Sequence, residues 1–178
     1  VSDDILVTAH YYANEDESML KGTRNVAVIQ PGVMGQTGLE SMTIVKSVTE
    51  RFSPDLIIAV DALATRSISR INRVIQINNT GIQPGSGVGN HRSALNEETL
   101  GVPVIAIGVA TVTSIGAILS ELLDEAKVDH AALLEELGQK EQMDLVVTPK
   151  SMDDELKQLS YLVSESINRF VHPQYLKL

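Results

Sequence analysis

The sequence predicts an α/β protein with a mainly parallel central sheet, and three observations carry that reading. Apolar, β-branched runs stand at residues 25–30, 55–60 and 102–109. Such runs suit strands covered on both faces. Longer stretches with apolar residues at helical spacing lie between them. Strand and helix therefore alternate, which is the pattern of βα units around a parallel sheet.

Each element has its own signal. Residues 1–13 are expected to be helical, because Ile5, Leu6, Ala9 and Tyr12 fall on one face. Residues 14–22 are polar and acidic, hence a loop. The run NVAVIQ at 25–30 reads as a buried strand stopped by Pro31-Gly32. Residues 39–52 carry Met42, Ile44, Val45 and Val48 at helical spacing, and Ser53-Pro54 ends that helix. Residues 55–60 form the next strand. Residues 62–72 are expected to be helical, with Arg66, Arg70 and Arg73 on the polar side, and 74–77 a short strand. The third long strand is 102–109, with Pro103 near its start, where a missing donor is tolerated. Residues 111–127 and 128–137 read as helices and 145–147 as a short strand. Pro149 then opens a last helix over 152–170. No repeat, low-complexity tract or clear boundary divides the 178 residues, so one domain is expected. The polar link at 138–142 reads as a turn.

Composition narrows the function. Hydrophobic residues make up 43% and aromatics only 3%, so the core must be aliphatic. The net charge of -9 argues against nucleic acid or an anionic membrane surface as a partner, and serves solubility. The absence of cysteine excludes disulfides, zinc-thiolate sites and thiol nucleophiles. No run approaches the ~20 apolar residues of a membrane span. No leader is visible, so the cytoplasm is the expected compartment.

Three features look like a site. The first is Asp61, an acid directly after the apolar run 56–60. In open α/β sheets ligands bind beyond the carboxyl ends of the strands. A carboxylate emerging from apolar surroundings suits acid or base work. The competing reading is an N-cap for the helix expected from Ala62. The second feature is the loop holding Gly32, Gly35 and Gly38. It resembles a phosphate turn in position, but neither the dinucleotide nor the Walker pattern fits. Its exposed amides suit an extended peptide, and the alternative is a tight turn needing positive φ. The third feature is the loop with Gly85, Ser86, Gly87 and Gly89, whose glycines allow close approach to a ligand and whose alternative is a plain surface loop.

Other candidates are weaker. Ser86 does not stand in a nucleophile elbow, and a triad of Ser86, His91 and Asp61 is only arithmetically possible, since His91 stands too close in sequence to need a designed site. His10, His130 and His172 are scattered and read as surface residues. No histidine pair or acidic cluster has metal-ligand spacing, so no metal and no cofactor is expected. Glu135-Glu136 and Asp153-Asp154-Glu155 read as solvated helix faces, the latter also favoured by the helix dipole.

The strings PGVMGQTGLE at 31–40 and SPDLIIAVDALATRS at 53–67 closely resemble the germination proteases of spore-forming bacteria. So do Thr80-Gly81-Ile82, residues 84–90, the run ETLGVPVIAIGV at 98–109 and VVTPK at 146–150. The resemblance implies an endopeptidase that degrades small acid-soluble spore proteins during germination in the spore core. It implies a three-layer α/β/α fold similar to the hydrogenase maturation endopeptidases. A homotetramer made as a zymogen is implied too. So is an aspartic-type mechanism, with Asp61 matching one of two aspartates, although a metallopeptidase assignment also exists for the family. The other aspartate belongs to a strand-turn segment upstream of residue 1, so the chain is expected to be an N-terminally incomplete fragment. Gln83 stands where the family usually has His, and residues 110–141 are shorter and divergent. The rival readings are a nickel-dependent hydrogenase maturation-type protease and an inactive homologue acting as a binding or scaffold protein.

Overall fold

The computed structural model describes residues 1–14, 20–84 and 93–173. They fall into two compact units. One joins residues 1–31 to 153–178, and the other is continuous over 32–152.

The continuous unit holds a four-stranded mixed sheet. Its strands are β1 (Ile57–Thr65), β2 (Ile75–Asn78), β3 (Val104–Ser114) and β4 (Val146–Val147). The order is β1-β3-β2, with β4 also on β3. β1 and β3 run parallel from Ile57 opposite Val104 to Thr65 opposite Thr113. β2 and β4 are antiparallel to β3, so the parallel character belongs to the long central pair alone. Ala110 faces Leu63 while Val112 faces Ala64. Thr111 is therefore an extra residue on β3, a bulge. The bulge leaves the Thr111 carbonyl to accept from the Thr148 hydroxyl at 2.9 Å.

The helices here are α2 (Met34–Thr37), α3 (Ser41–Phe52), α4 (Glu97–Leu100), α5 (Ile115–Glu125) and α6 (Ala131–Leu137). α1 (Ala9–Ala13) and α7 (Met152–Val171) belong to the other unit, apart from Met152. α3 buries Ser41, Val45 and Thr49, four residues apart. Val45 joins Leu95, Leu100 and Val104 in a core cluster, with Met42, Ile57, Ala59 and Ile82 packed against it. α3 stops because Ser53 turns left-handed at φ 49° and Pro54 follows.

The helices expected over 62–72 and 111–127 start differently from the sequence reading. Residues 62–65 continue β1, and only a 3-10 turn at Ile68–Arg70 follows. Residues 111–114 continue β3, and α5 begins at Ile115 with Ser114 as its cap, whose Oγ accepts from the Ala117 amide at 3.1 Å. Residues 62–65 are half alanine, and both segments run straight into residues with helical spacing. Here their ladder partners are each other, and pairing overrides propensity.

In the other unit, the helix expected over 1–13 is replaced by a 3-10 turn at Ser2–Asp4, an extended stretch and α1. The amides of Thr8 and Ala9 both donate to the Val26 carbonyl, at 2.9 and 3.0 Å, which takes them out of a helical ladder. The strand expected at 25–30 forms no ladder among the described residues. A β-branched run makes a strand only beside a partner strand. α7 instead fastens this unit with polar side chains. Asn168 accepts from the Leu6 amide at 2.9 Å and donates to the Asp4 carbonyl at 2.9 Å. His172, fully buried, accepts from the Arg24 amide through Nδ1 at 3.1 Å and faces the Leu6 carbonyl through Nε2 at 3.0 Å. It is a core residue rather than the surface histidine expected from sequence. That pairing requires a proton on Nε2 and none on Nδ1.

Candidate functional site

Asp61 is the fifth of the nine residues of β1, not its last, and no helix follows it. The capping alternative is thereby removed. Strand alternation puts Asp61 on the face of Ile57, Ala59 and Leu63. Ile57 and Ala59 pack against the core cluster, so Asp61 lies where that apolar face gives out. Opposite it on β3 is Gly108. A Cβ at Gly108 would overlap Leu63, with Cγ only 2.6 Å away. The missing side chain lets Leu63 fold over the neighbouring strand beside the acid.

β1 is the outermost strand, so one of its edges is open among the described residues. The Ile57 amide donates to Pro103 at 3.0 Å, on the β3 side. Residues 57, 59 and 61 therefore bond inward, while 58, 60 and 62 turn their amides to the open edge. The Ala62 amide there donates to Asp61 Oδ1 at 2.9 Å. The carboxylate thus reaches round to the open edge of its own strand.

The first glycine loop leads into α3. α3 rises about 18 Å over twelve residues. Val45 of α3 lies in the core cluster against which Met42 and the β1 residues Ile57 and Ala59 pack. Gly32 and Gly38 both have positive φ, 70° and 71°, so the tight-turn requirement holds at these two positions. A Cβ at Gly35 would meet nothing within 4 Å. The Thr37 hydroxyl braces the loop, donating to the Leu39 carbonyl at 3.1 Å and accepting from the Leu39 amide at 3.2 Å.

Gly85, Ser86, Gly87 and Gly89 lie outside the described residues, as does His91. The base of their loop is described. Ile82 and Leu95 form an antiparallel bridge with amide bonds of 3.0 and 2.8 Å. Gly81 beside it has φ 89°, and a Cβ there would overlap the Leu95 carbonyl oxygen and come 2.8 Å from Asn96 Cα. Ser93 then donates to Glu40 at 3.1 Å. Ile82 and Leu95 belong to the same core cluster as Ile57 and Ala59. The base of the second loop, the exit of the first and Asp61 therefore share one side of the sheet.

A cleft of about 780 Å³ lies elsewhere in this unit, beyond the carboxyl ends of β1 and β3, with Arg66, Ser67, Ser114 and Glu121 among its lining residues. Glu121 accepts from the Ile68 amide at 2.5 Å and the Ser67 hydroxyl at 2.6 Å. These two bonds, the amide first, hold its carboxyl below the ordinary range. No sequence motif marks Glu121, because its partners lie more than fifty residues away. Among the described residues, no three His, Cys, Asp or Glu side chains gather to hold a metal ion. No described helix is long and apolar enough to cross a membrane.

The described residues define an α/β protein with an acid, Asp61, borne on the outer strand of its sheet. Comparison with known proteins gives the family. The model of the germination protease family matches residues 1–131. A germination protease of Oceanobacillus iheyensis is 51% identical over 122 residues, covering 68% of this chain and 33% of the relative. One of Clostridium tetani is 42% identical over 198 residues, covering 97% of this chain and 60% of the relative. One of Clostridium perfringens is 38% identical over 191 residues, covering 95% and 59%. The chain belongs to the germination protease family, and it spans between a third and three-fifths of the length of these relatives. The two clostridial alignments are longer than the chain itself. Those relatives therefore carry residues within the aligned region that this chain lacks.

Proposed function

We propose that this chain carries part of the active site of an endopeptidase that degrades small acid-soluble spore proteins during germination. The observation that supports this reading most is Asp61 itself, a family-matching acid whose carboxylate reaches the open edge of β1. Asp61 holds a water and takes its proton as that water attacks the scissile carbonyl. A second, protonated carboxyl polarises the carbonyl oxygen and later gives its proton to the leaving amine. That second acid is carried by polypeptide outside these 178 residues, on a strand paired to the open edge of β1. With that strand the sheet has the three-layer order of the hydrogenase maturation endopeptidases. The backbone of Gly32, Gly35 and Gly38, with Gly85, Ser86, Gly87 and Gly89, lines the cleft for the substrate chain. The enzyme works as a homotetramer in the spore core, is made as a zymogen, and needs no metal.

A pair of carboxyls in opposite protonation states requires a rate that rises and then falls with pH. The test is kcat/KM for a small acid-soluble spore protein against pH, using the full-length protein. A bell-shaped profile is expected, unchanged by chelators. A profile without an acid limb contradicts the base role of an aspartate.

A further inference from the structure

Asp61 and Leu63 are neighbours on one face of β1, about 7 Å apart along the strand. Their side chains turn to opposite sides of it. The Asp61 carboxylate accepts from the Ala62 amide, at the open edge, while Leu63 lies over β3, on the buried Gly108. Gly108 is the ladder partner of Asp61, so Leu63 reaches back level with the acid. The backbone at Gly108 is not left-handed, so its need for glycine is one of space. A Cβ there would stand 2.6 Å from Leu63 Cγ, and the atoms it meets belong to that side chain alone. Leu63 is therefore the group that would give way. A leucine barred from one staggered rotamer swings to another, which takes it off β3 and over its own strand.

We propose that Gly108 is a positioning residue that acts through Leu63. It gives that side chain a seat over β3 and so keeps it off the Asp61 carboxylate, leaving the space above the acid to the attacking water. The inference rests on the endopeptidase reading above, in which Asp61 takes the proton of that water. A methyl group at position 108 unseats Leu63 and brings it against the carboxylate. Water is then displaced, and the charged form of the acid is disfavoured.

The test uses full-length protein, a small acid-soluble spore protein as substrate, and the variants Gly108→Ala, Leu63→Ala and both together. The readout is kcat/KM across pH. Loss of folded protein lowers the whole profile by one factor, whereas an apolar side chain pressed on the carboxylate moves its acid limb. Gly108→Ala is expected to lower the rate on the order of tenfold or more and to move the acid limb to higher pH. In the Leu63→Ala background the same substitution is expected to change neither, because nothing is left to unseat. That comparison holds even where Gly108→Ala alone fails to fold. An acid limb that stays in place in a folded Gly108→Ala, or a loss just as large in the Leu63→Ala background, would overturn the positioning role and leave the protease reading intact. A wild type that does not cleave the spore protein would overturn both.

Discussion

At Gly81 two constraints meet at one atom. The backbone sits at φ 89°, and an added Cβ would run into the Leu95 carbonyl and the Asn96 main chain. Neither obstacle can rotate away. Gly81→Ala is expected to cost about 2–4 kcal/mol, from the strained φ together with the overlap, measured by urea unfolding. His172 makes the complementary case for a side chain. Its ring is fully buried and joins the Arg24 amide to the Leu6 carbonyl. His172→Ala leaves both groups unpaired beside a cavity, and is expected to cost about 3–5 kcal/mol. Amide exchange should then quicken at Arg24 ahead of the sheet. Equal protection at Arg24 in variant and wild type would refute this fastening role. Sequence showed Gly81 only as part of a matching string and read His172 as a surface residue. Neither position announces itself locally, because each depends on what the fold brings against it.

The elements were legible wherever a local signal fixed them. Ser53-Pro54 ended α3 as expected, and the periodic run after Pro149 became α7. Reading failed where a ladder partner decides. Residues 62–65 and 111–114 are alanine- and threonine-rich, and they became strand because each supplies the other's partner. Residues 25–30 carry the β-branched Val26, Val28 and Ile29, yet they make no ladder among the described residues. Asp61 was found by its position after an apolar run. Its place within β1 was missed because that strand runs four residues further. The turn after β1 yields a pH prediction. Glu121 is held below its ordinary range by the Ile68 amide and the Ser67 hydroxyl. A depressed carboxyl stabilises fully above its unfolded value, near 4.5. That contribution is lost as pH falls through its lower folded value. The stability difference between wild type and Glu121→Gln should therefore be largest at neutral pH and shrink in acid below about 4. Melting temperatures across pH 3–7 measure it. A gap that widens in acid would contradict the assigned bonds.

For the whole molecule, the sheet and its two loop bases form one arrangement. The core cluster on the Ile57 and Ala59 face anchors the entry of α3 and the bridge under the second loop. Asp61 continues that face beside a residue without a side chain, Gly108. The α/β class could be read from the chain, and so could the position of Asp61 after an apolar run. The mixed order of the sheet could not, because parallel and antiparallel strands share one local pattern. The account stands on Asp61 acting as the base. The most direct measurement is single-turnover cleavage of a small acid-soluble spore protein by full-length protein, wild type against Asp61→Asn. Circular dichroism would confirm equal folding of the two. The rate is expected to fall by about 10²–10⁴ or more, with melting behaviour little changed. Cleavage by Asp61→Asn within a few-fold of wild type would contradict the central claim.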